Sequence, residues 1–484
     1  MRKIARWLAA GALCMPAWAA SAGGIEFQPC DLLDAAGIPR VEAECARYSV
    51  AENRAEPGGR QLSLRIARVK ARIAGARQDP VIFLAGGPGQ AAVDAYVSVQ
   101  GGLARINRNR DILLIDQRGT GGSNRLACAL PDPEQTLTAD RQAWRRLAQE
   151  CLDKLSPIAD LRHYTTSDYI DDLEDIRAAL GIAQVNLVGG SYGTRVALEY
   201  LRRHPTVVRS VVVDGVVPPG LALGADHARN LEVALTNIFA ACTANAECRE
   251  RHGEPMAQLK RLRAELDRAP RKVDFRDPTA FTDKTGTLTH DVLAAIVRLY
   301  SYKPESAALL PLWIAEALRG NAAPLYAQIE LLSRHLEEQL AHGMELSVLC
   351  SEDAAALRAD PRDAQTLLGS GLVDGLLAQC DMWPRGRVPA DFKQPLKSDK
   401  PVLILSGEND PVTPPRYGEQ VLATLSAARH IQAPGQGHIT MNSGCIPRLL
   451  EKFVETADAA ALDASCVEHL GALPAFLDYN GFGP

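Results

Sequence analysis

Between about residue 60 and residue 215, short apolar runs alternate with stretches of helical periodicity. The runs are VIFL (81–84), ILLI (112–115), VNLV (185–188) and VVV (211–213), and each stops at or beside Gly or Asp. Continuous apolar runs of this length, separated by helical patterns, spell parallel strands buried on both faces. The helix before residue 185 is legible. Ile170, Leu173, Ile176 and Leu180 fall on one face, and Gly181 supplies the stop. Asp168, Asp171, Asp172 and Glu174 crowd its first half, where they complement the helix dipole. After Pro218-Pro219-Gly220 the strand signal fades. Residues 220–395 are rich in Ala, Leu, Arg and Glu at helical spacing, and the strand pattern resumes at VLIL (402–405). The pattern predicts an α/β fold with a mostly parallel central sheet and helices on both faces. Residues 23–219 and 396–484 form it, and a mainly helical insertion, 220–395, interrupts it. Pro/Gly-rich patches at 216–220 and 384–389 are the expected hinges.

The first 22 residues read differently from the rest. Arg2 and Lys3 give a positive start, residues 7–15 are mostly apolar, and Ala20-Ser21-Ala22 supplies an A-x-A cleavage site. This is the pattern of a secretory signal peptide. The alternative, an uncleaved anchor helix, asks for a longer and more apolar run. Cys14 would suit a lipoprotein, but Leu13 before it is not the small residue that reading needs. Setting Cys14 aside leaves ten cysteines, an even number, and in an exported chain that predicts disulfides. The simplest pairing joins neighbours: 30–45, 128–151, 242–248, 350–380 and 445–466. Buried free thiols are the competing account. No cysteine–histidine cluster has zinc spacing, so no metal is expected. A net charge of −5 without a basic stripe argues against nucleic acid as a partner. Once the leader is removed, no stable membrane insertion is expected, and the product is a periplasmic or extracellular protein.

The apolar run at 185–188 leads into Gly189-Gly190-Ser191-Tyr192-Gly193, a G-x-S-x-G pentapeptide, and a helix-forming stretch follows. A sharp strand-to-helix turn of this kind lifts a serine oxygen above a sheet, where it serves as a nucleophile. A plain structural Ser in a Gly-rich turn is the bland alternative. A serine hydroxyl needs a base, and the base needs an orienting carboxylate. On such a fold the chain order is Ser, acid, His. Asp410, in "SGENDPVTP" after the strand at 402–405, is the expected acid, with Glu408 a rival two residues earlier. His438 in "GQGH" is the expected base, and His430 at the start of the last strand is expected to be structural. Oxyanion donors are expected from the backbone N–H of Tyr192 and from Gly87 in "FLAGGPGQ". Asp116 and Arg118, in "LLIDQRGTGGS", are expected to form an internal ion pair or loop brace. This chemistry calls for no cofactor.

"GGPG" (86–89), "DQRGTGGS" (116–123), "GGSYG" (189–193) and "GENDPVTP…GQGH" (407–438) together resemble the α/β-hydrolase family of prolyl and tripeptidyl aminopeptidases. The resemblance implies that Ser191, Asp410 and His438 are a catalytic triad and that the insertion is a cap over it. "VLCSED" (348–353) and "CDMWP" (380–384) resemble the secreted tripeptidyl-aminopeptidase-like branch, in which a disulfide would tie these cap segments. Ala85 stands where proline iminopeptidases commonly carry His, a departure that speaks against strict proline specificity. The implied substrates are peptides with a free α-ammonium group. Glu352 and Asp353 are the candidates to receive it, against a reading as ordinary surface acids. A serine esterase with the same triad and a non-catalytic binding protein on a hydrolase scaffold are the rival functions.

Overall fold

The computed structural model describes residues 24–34, 36–128 and 133–482. The predicted signal peptide, 1–22, lies outside the described residues. Nine strands form one sheet: β1 (Gln28–Leu33), β2 (Pro39–Ala51), β3 (Gln61–Val69), β4 (Val81–Leu84), β5 (Ile112–Ile115), β6 (Val185–Gly190), β7 (Val208–Asp214), β10 (Val402–Gly407) and β11 (Ala428–Ala433). A separate antiparallel pair joins β8 (Arg271–Arg276) to β9 (Asp283–Leu288). The large sheet runs β1-β2-β3-β5-β4-β6-β7-β10-β11. From β5 to β11 every pairing is parallel, and β1, β2 and β3 add an antiparallel flank.

The apolar runs are continuous because both faces are covered. Ile82 and Leu84 pack into one cluster with Leu187, Val213 and Ile404. Their neighbours Val81 and Phe83 pack into the opposite one with Leu114, Val188 and Leu403. Successive side chains of a strand point to opposite faces, so a doubly covered strand has no polar position to spare. Between β7 and β10 the chain adds no strand to the large sheet. Its helices include His227–Ala244, Pro255–Arg268, His290–Tyr300 and Leu310–Leu318, and they enclose a third cluster around Leu231, Leu262, Val292 and Trp313. Over this segment the sequence pattern predicts mainly helix and does not reveal β8 and β9. Their alternation, with Val273 and Phe275 buried beside exposed Lys272 and Asp274, is short and set among charged residues.

The predicted helix is Thr166–Ala179. Thr165 and Asp168 close a capping box at its start, and Gly181, at φ +67°, follows its end. Ile170, Leu173 and Ile176 are fully buried. Asp172, expected to complement the helix dipole, has a further role. It is fully buried and pairs with Arg118, which is equally buried, through two bonds of 2.6 and 2.7 Å. Arg118 also donates to the carbonyls of Glu52 and His163. Asp116 is not its partner; that carboxylate accepts the amides of Val93 and Gly122. The two residues brace the same loop from separate anchors. All ten cysteines from Cys30 onward form the five predicted neighbour pairs.

Removing one member of a buried ion pair strands the other charge in a poorly solvating interior. Arg118→Met leaves Asp172 with Arg54 as its one cation and takes the donor from the Glu52 and His163 carbonyls, and should destabilise the fold by about 3 kcal/mol, measured by denaturant unfolding with the disulfides intact. A loss below about 1 kcal/mol, as for an exposed pair, would contradict this account.

Candidate active site

Ser191 joins β6 to the helix Tyr192–Arg203, with φ 54° and ψ −124°, a conformation that L-residues rarely hold. The turn is possible because strand and helix nearly touch. A β-carbon on Gly193 would lie 2.1 Å from the carbonyl oxygen of Leu84, and one on Gly189 would lie 2.4 Å from that of Gly193. The Ser191 N–H donates to the main-chain oxygen of Asp214, at the end of β7, over 2.9 Å. Ser191 itself is half-buried.

Asp410 follows β10 and His438 follows β11. The Asp410 Oδ2 lies 2.7 Å from His438 Nδ1 and accepts the Thr413 hydroxyl at 2.8 Å. Its Oδ1 accepts the amides of Val412 and Thr413, each at 2.8 Å. Burial alone would raise the Asp410 carboxyl. The adjoining imidazole and the two amides outweigh burial and hold it below the ordinary carboxylate value. Glu408 does a different job: it accepts the Gly435 N–H at 2.8 Å and steadies the loop that carries His438. The His438 N–H donates to the carbonyl of Tyr302 at 2.7 Å, and the Tyr302 ring meets the imidazole edge-on at 5.3 Å between centroids. Lys303 Nζ donates to the His438 carbonyl at 3.0 Å. A second imidazole nearby, His227, is pushed down to about 3 by burial and by Arg298, which makes it a very weak base.

Asp214 ties the serine turn to the imidazole loop. Its carboxylate accepts the amides of Thr440 and Met441 at 2.8 and 2.7 Å, while its main-chain oxygen holds Ser191. A β-carbon on Gly215, the next residue, would lie 3.1 Å from His438 Cε1. Serine, acid and imidazole thus follow β6, β10 and β11, parallel strands with β7 between the first two, at one end of the sheet. Loops at the carboxyl ends of such strands are where α/β sheets place their ligands.

The loop after β4 lies against the serine. A β-carbon on Gly86 would sit 3.2 Å from Ser191 Cβ, and Gly87 has φ +102°. Tyr192, at the first turn of its helix, is fixed from below. Its buried hydroxyl lies 2.7 Å from Thr166 Oγ1 and accepts Gln117 Nε2 at 3.1 Å.

Glu352 and Asp353 sit elsewhere than expected. Both are buried, and both carboxylates are engaged inside the protein. Glu352 accepts the amide and hydroxyl of Thr166 and one nitrogen of Arg195, at 2.7, 3.0 and 3.2 Å. Asp353 takes Arg195 bidentately at 2.8 and 3.0 Å and pairs with Lys393. Arg195 belongs to the helix that starts after Ser191, so the two acids brace that helix. With two cations facing two carboxylates, a substrate ammonium would find neither acid free. Three residues that sequence reasoning passed over are Thr413, Asp214 and Tyr302. Thr413 stands in the quoted "DPVTP", and Asp214 closes a predicted strand. Nothing local marks Tyr302, whose part in the site is a backbone carbonyl.

Among the described residues, no group of three His, Cys, Asp or Glu side chains could hold a metal ion, and no helix is long and apolar enough to cross a membrane. The family profile for the alpha/beta hydrolase fold matches residues 79–442, more than half of the chain, and the protein belongs to that family. It is 34% identical to a tripeptidyl aminopeptidase of Streptomyces coelicolor over 230 residues, which cover 44% of this chain and 41% of that relative. The serine protease Hip1 of Mycobacterium tuberculosis is 23% identical, with 91% of each chain covered. A carboxylesterase B from the same species is 26% identical over 80% of this chain and 78% of its own.

Burial pushes the Asp214 carboxyl up to about 6. A carboxyl that ionises less readily folded than unfolded favours the fold in its protonated form. Its contribution is complete below the ordinary value of 3.8 and is lost as pH rises through about 6. Across that window, denaturant titrations should show wild type losing more stability with rising pH than Asp214→Asn. Parallel curves for the two proteins would contradict the assignment.

Proposed function

We propose that this protein is an exported serine aminopeptidase that releases short peptides or single residues from peptide N-termini. The observation that carries the reading is the buried Asp410–His438 pair, fixed to the same strand end that holds the strained Ser191 turn. His438 takes the Ser191 proton as the hydroxyl attacks the scissile carbonyl. Asp410 keeps the Nδ1 proton in place and stabilises the imidazolium that forms. The N–H groups of Tyr192 and Gly87 receive the oxyanion, and a rigid donor pair at that point acts where charge develops. His438 then protonates the leaving amine, and water hydrolyses the acyl-enzyme. The names of the tripeptidyl aminopeptidase and of Hip1 support peptides as substrates. Five disulfides support an oxidising compartment. The carboxylesterase relative favours a second reading, an acyl-ester hydrolase with the same triad.

Fluorophosphonate should label the wild type at Ser191, and Ser191→Ala should lose both labelling and turnover while unfolding as wild type does. Asp410→Asn should lower kcat about 10⁴-fold, because the imidazole loses its oriented tautomer. A panel of aminoacyl- and tripeptidyl-amides set against acyl esters decides between the two readings. Turnover of acyl esters alone would end the peptidase claim.

A further inference from the structure

Gln90 closes the glycine-rich loop that carries Gly87, and its backbone is held in place. It forms an antiparallel bridge with Leu340, and the Ala341 N–H donates to the Gly89 carbonyl at 3.0 Å. The side chain stands beside the nucleophile. A β-carbon on Gly86 would lie 3.1 Å from Gln90 Oε1 and 3.2 Å from Ser191 Cβ, so the two side chains border one small space.

Nothing in the protein uses this carboxamide. It has no hydrogen-bond partner among the described residues, and Gln90 is half-buried with neither amide atom sealed from solvent. Its oxygen is therefore open to a donor that arrives in front of Ser191. The acids around the loop are engaged elsewhere. The Cβ of Glu345 lies 3.5 Å from where a β-carbon on Gly89 would stand, but its carboxylate pairs with His342 Nδ1 at 3.0 Å. Glu352 and Asp353 are held by Thr166, Arg195 and Lys393.

We infer that Gln90 is a specificity-determining residue whose Oε1 accepts a hydrogen from the α-nitrogen of the residue whose carbonyl Ser191 attacks. The inference rests on the serine aminopeptidase reading and narrows its substrates to acyl groups that carry an N–H on the α-carbon. A peptide acyl group has that hydrogen, on an ammonium when one residue is released and on an amide when a longer piece is released. A neutral amide oxygen accepts from both, whereas a carboxylate would favour the ammonium. A simple acyl ester has no such hydrogen and leaves the carboxamide to water. Gln90 thus reads what distinguishes a peptide from a plain ester, without fixing how many residues are released.

The test compares substrates that differ only at this nitrogen. Trialanine p-nitroanilide is set against the analogue whose third residue is lactic acid, in which oxygen replaces the N–H. Alanine p-nitroanilide is set against the isobutyryl compound, in which a methyl group replaces the amine. In at least one pair, wild type should favour the member with the N–H by about tenfold or more in kcat/KM. Gln90→Leu should reduce that preference to about threefold or less, and Gln90→Glu, which keeps an acceptor, should retain it. Fluorophosphonate labelling of Ser191 checks that each variant is folded. A preference that survives in Gln90→Leu, or that is lost in Gln90→Glu as well, would overturn the inference. So would an equal loss on both members of a pair, which marks a donor to the oxyanion or a brace of the loop. If wild type shows no preference in either pair, the peptidase reading falls together with this one. If wild type shows the preference and Gln90→Leu leaves it unmoved, this inference alone fails.

Discussion

The site depends on Asp214, one buried residue used twice. Its main-chain oxygen takes the Ser191 amide, and its carboxylate takes the amides of Thr440 and Met441 just past His438. The serine turn and the imidazole loop come from distant parts of the chain, and each alone is a strained or irregular segment. Ser191 holds a positive φ, and so does Ile439 beside His438. Such conformations persist only where the surroundings over-determine them. A carboxylate with no solvent supplies that constraint, because releasing either amide would leave a buried charge under-satisfied.

A second layer fixes the donor side of the site. The helix His342–Glu352 touches the core at both ends. At its start, the Ala341 N–H donates to the Gly89 carbonyl in the glycine-rich loop. At its end, Glu352 and Asp353 grip Arg195 and Thr166, and Thr166 in turn meets the hydroxyl of Tyr192. One rigid element therefore spans the two backbone segments from which oxyanion donors are proposed. Oxyanion stabilisation relies on donors that need not reorganise as charge appears. The two carboxylates serve that end as braces, since their hydrogen bonds are already taken by Arg195, Lys393 and Thr166.

What the sequence revealed follows from what each pattern encodes. Period-two burial on two faces leaves unbroken apolar runs, so β4, β5, β6, β7 and β10 were legible. The pentapeptide around Ser191 was legible because a tight strand–helix approach admits only small residues at 189 and 193. Asp410 and Glu408 both sat in one loop, and only geometry separated the residue facing the imidazole from the one holding Gly435. Burial of polar partners left no local trace. Asp172 looks like any acid in the first half of a helix until Arg118 meets it from 54 positions away. Arg195 and Glu352 are 157 positions apart, and no periodicity relates them. Ion pairs of that kind belong to topology, which pattern reading does not reach.

The distribution of covalent and ionic ties has a mechanical consequence. Every disulfide closes a short span: Cys30–Cys45 joins β1 to β2, Cys242–Cys248 joins successive helices, and Cys350–Cys380 joins the helix bearing Glu352 to Gly371–Cys380. None joins the segment between β7 and β10 to the large sheet. That union is non-covalent: Met344, Leu346 and Val348 pack into the main core, the Tyr302 and Gly89 carbonyls take amides across the junction, and Arg195 pairs with Glu352 and Asp353. Short cross-links constrain the unfolded chain within each part, whereas non-covalent contacts set how the parts meet. The loop after β4 and the helix after Ser191 are therefore tied to the helix His342–Glu352 by packing, backbone hydrogen bonds and the Arg195 ion pairs together, and the disulfides act only by keeping each part in shape.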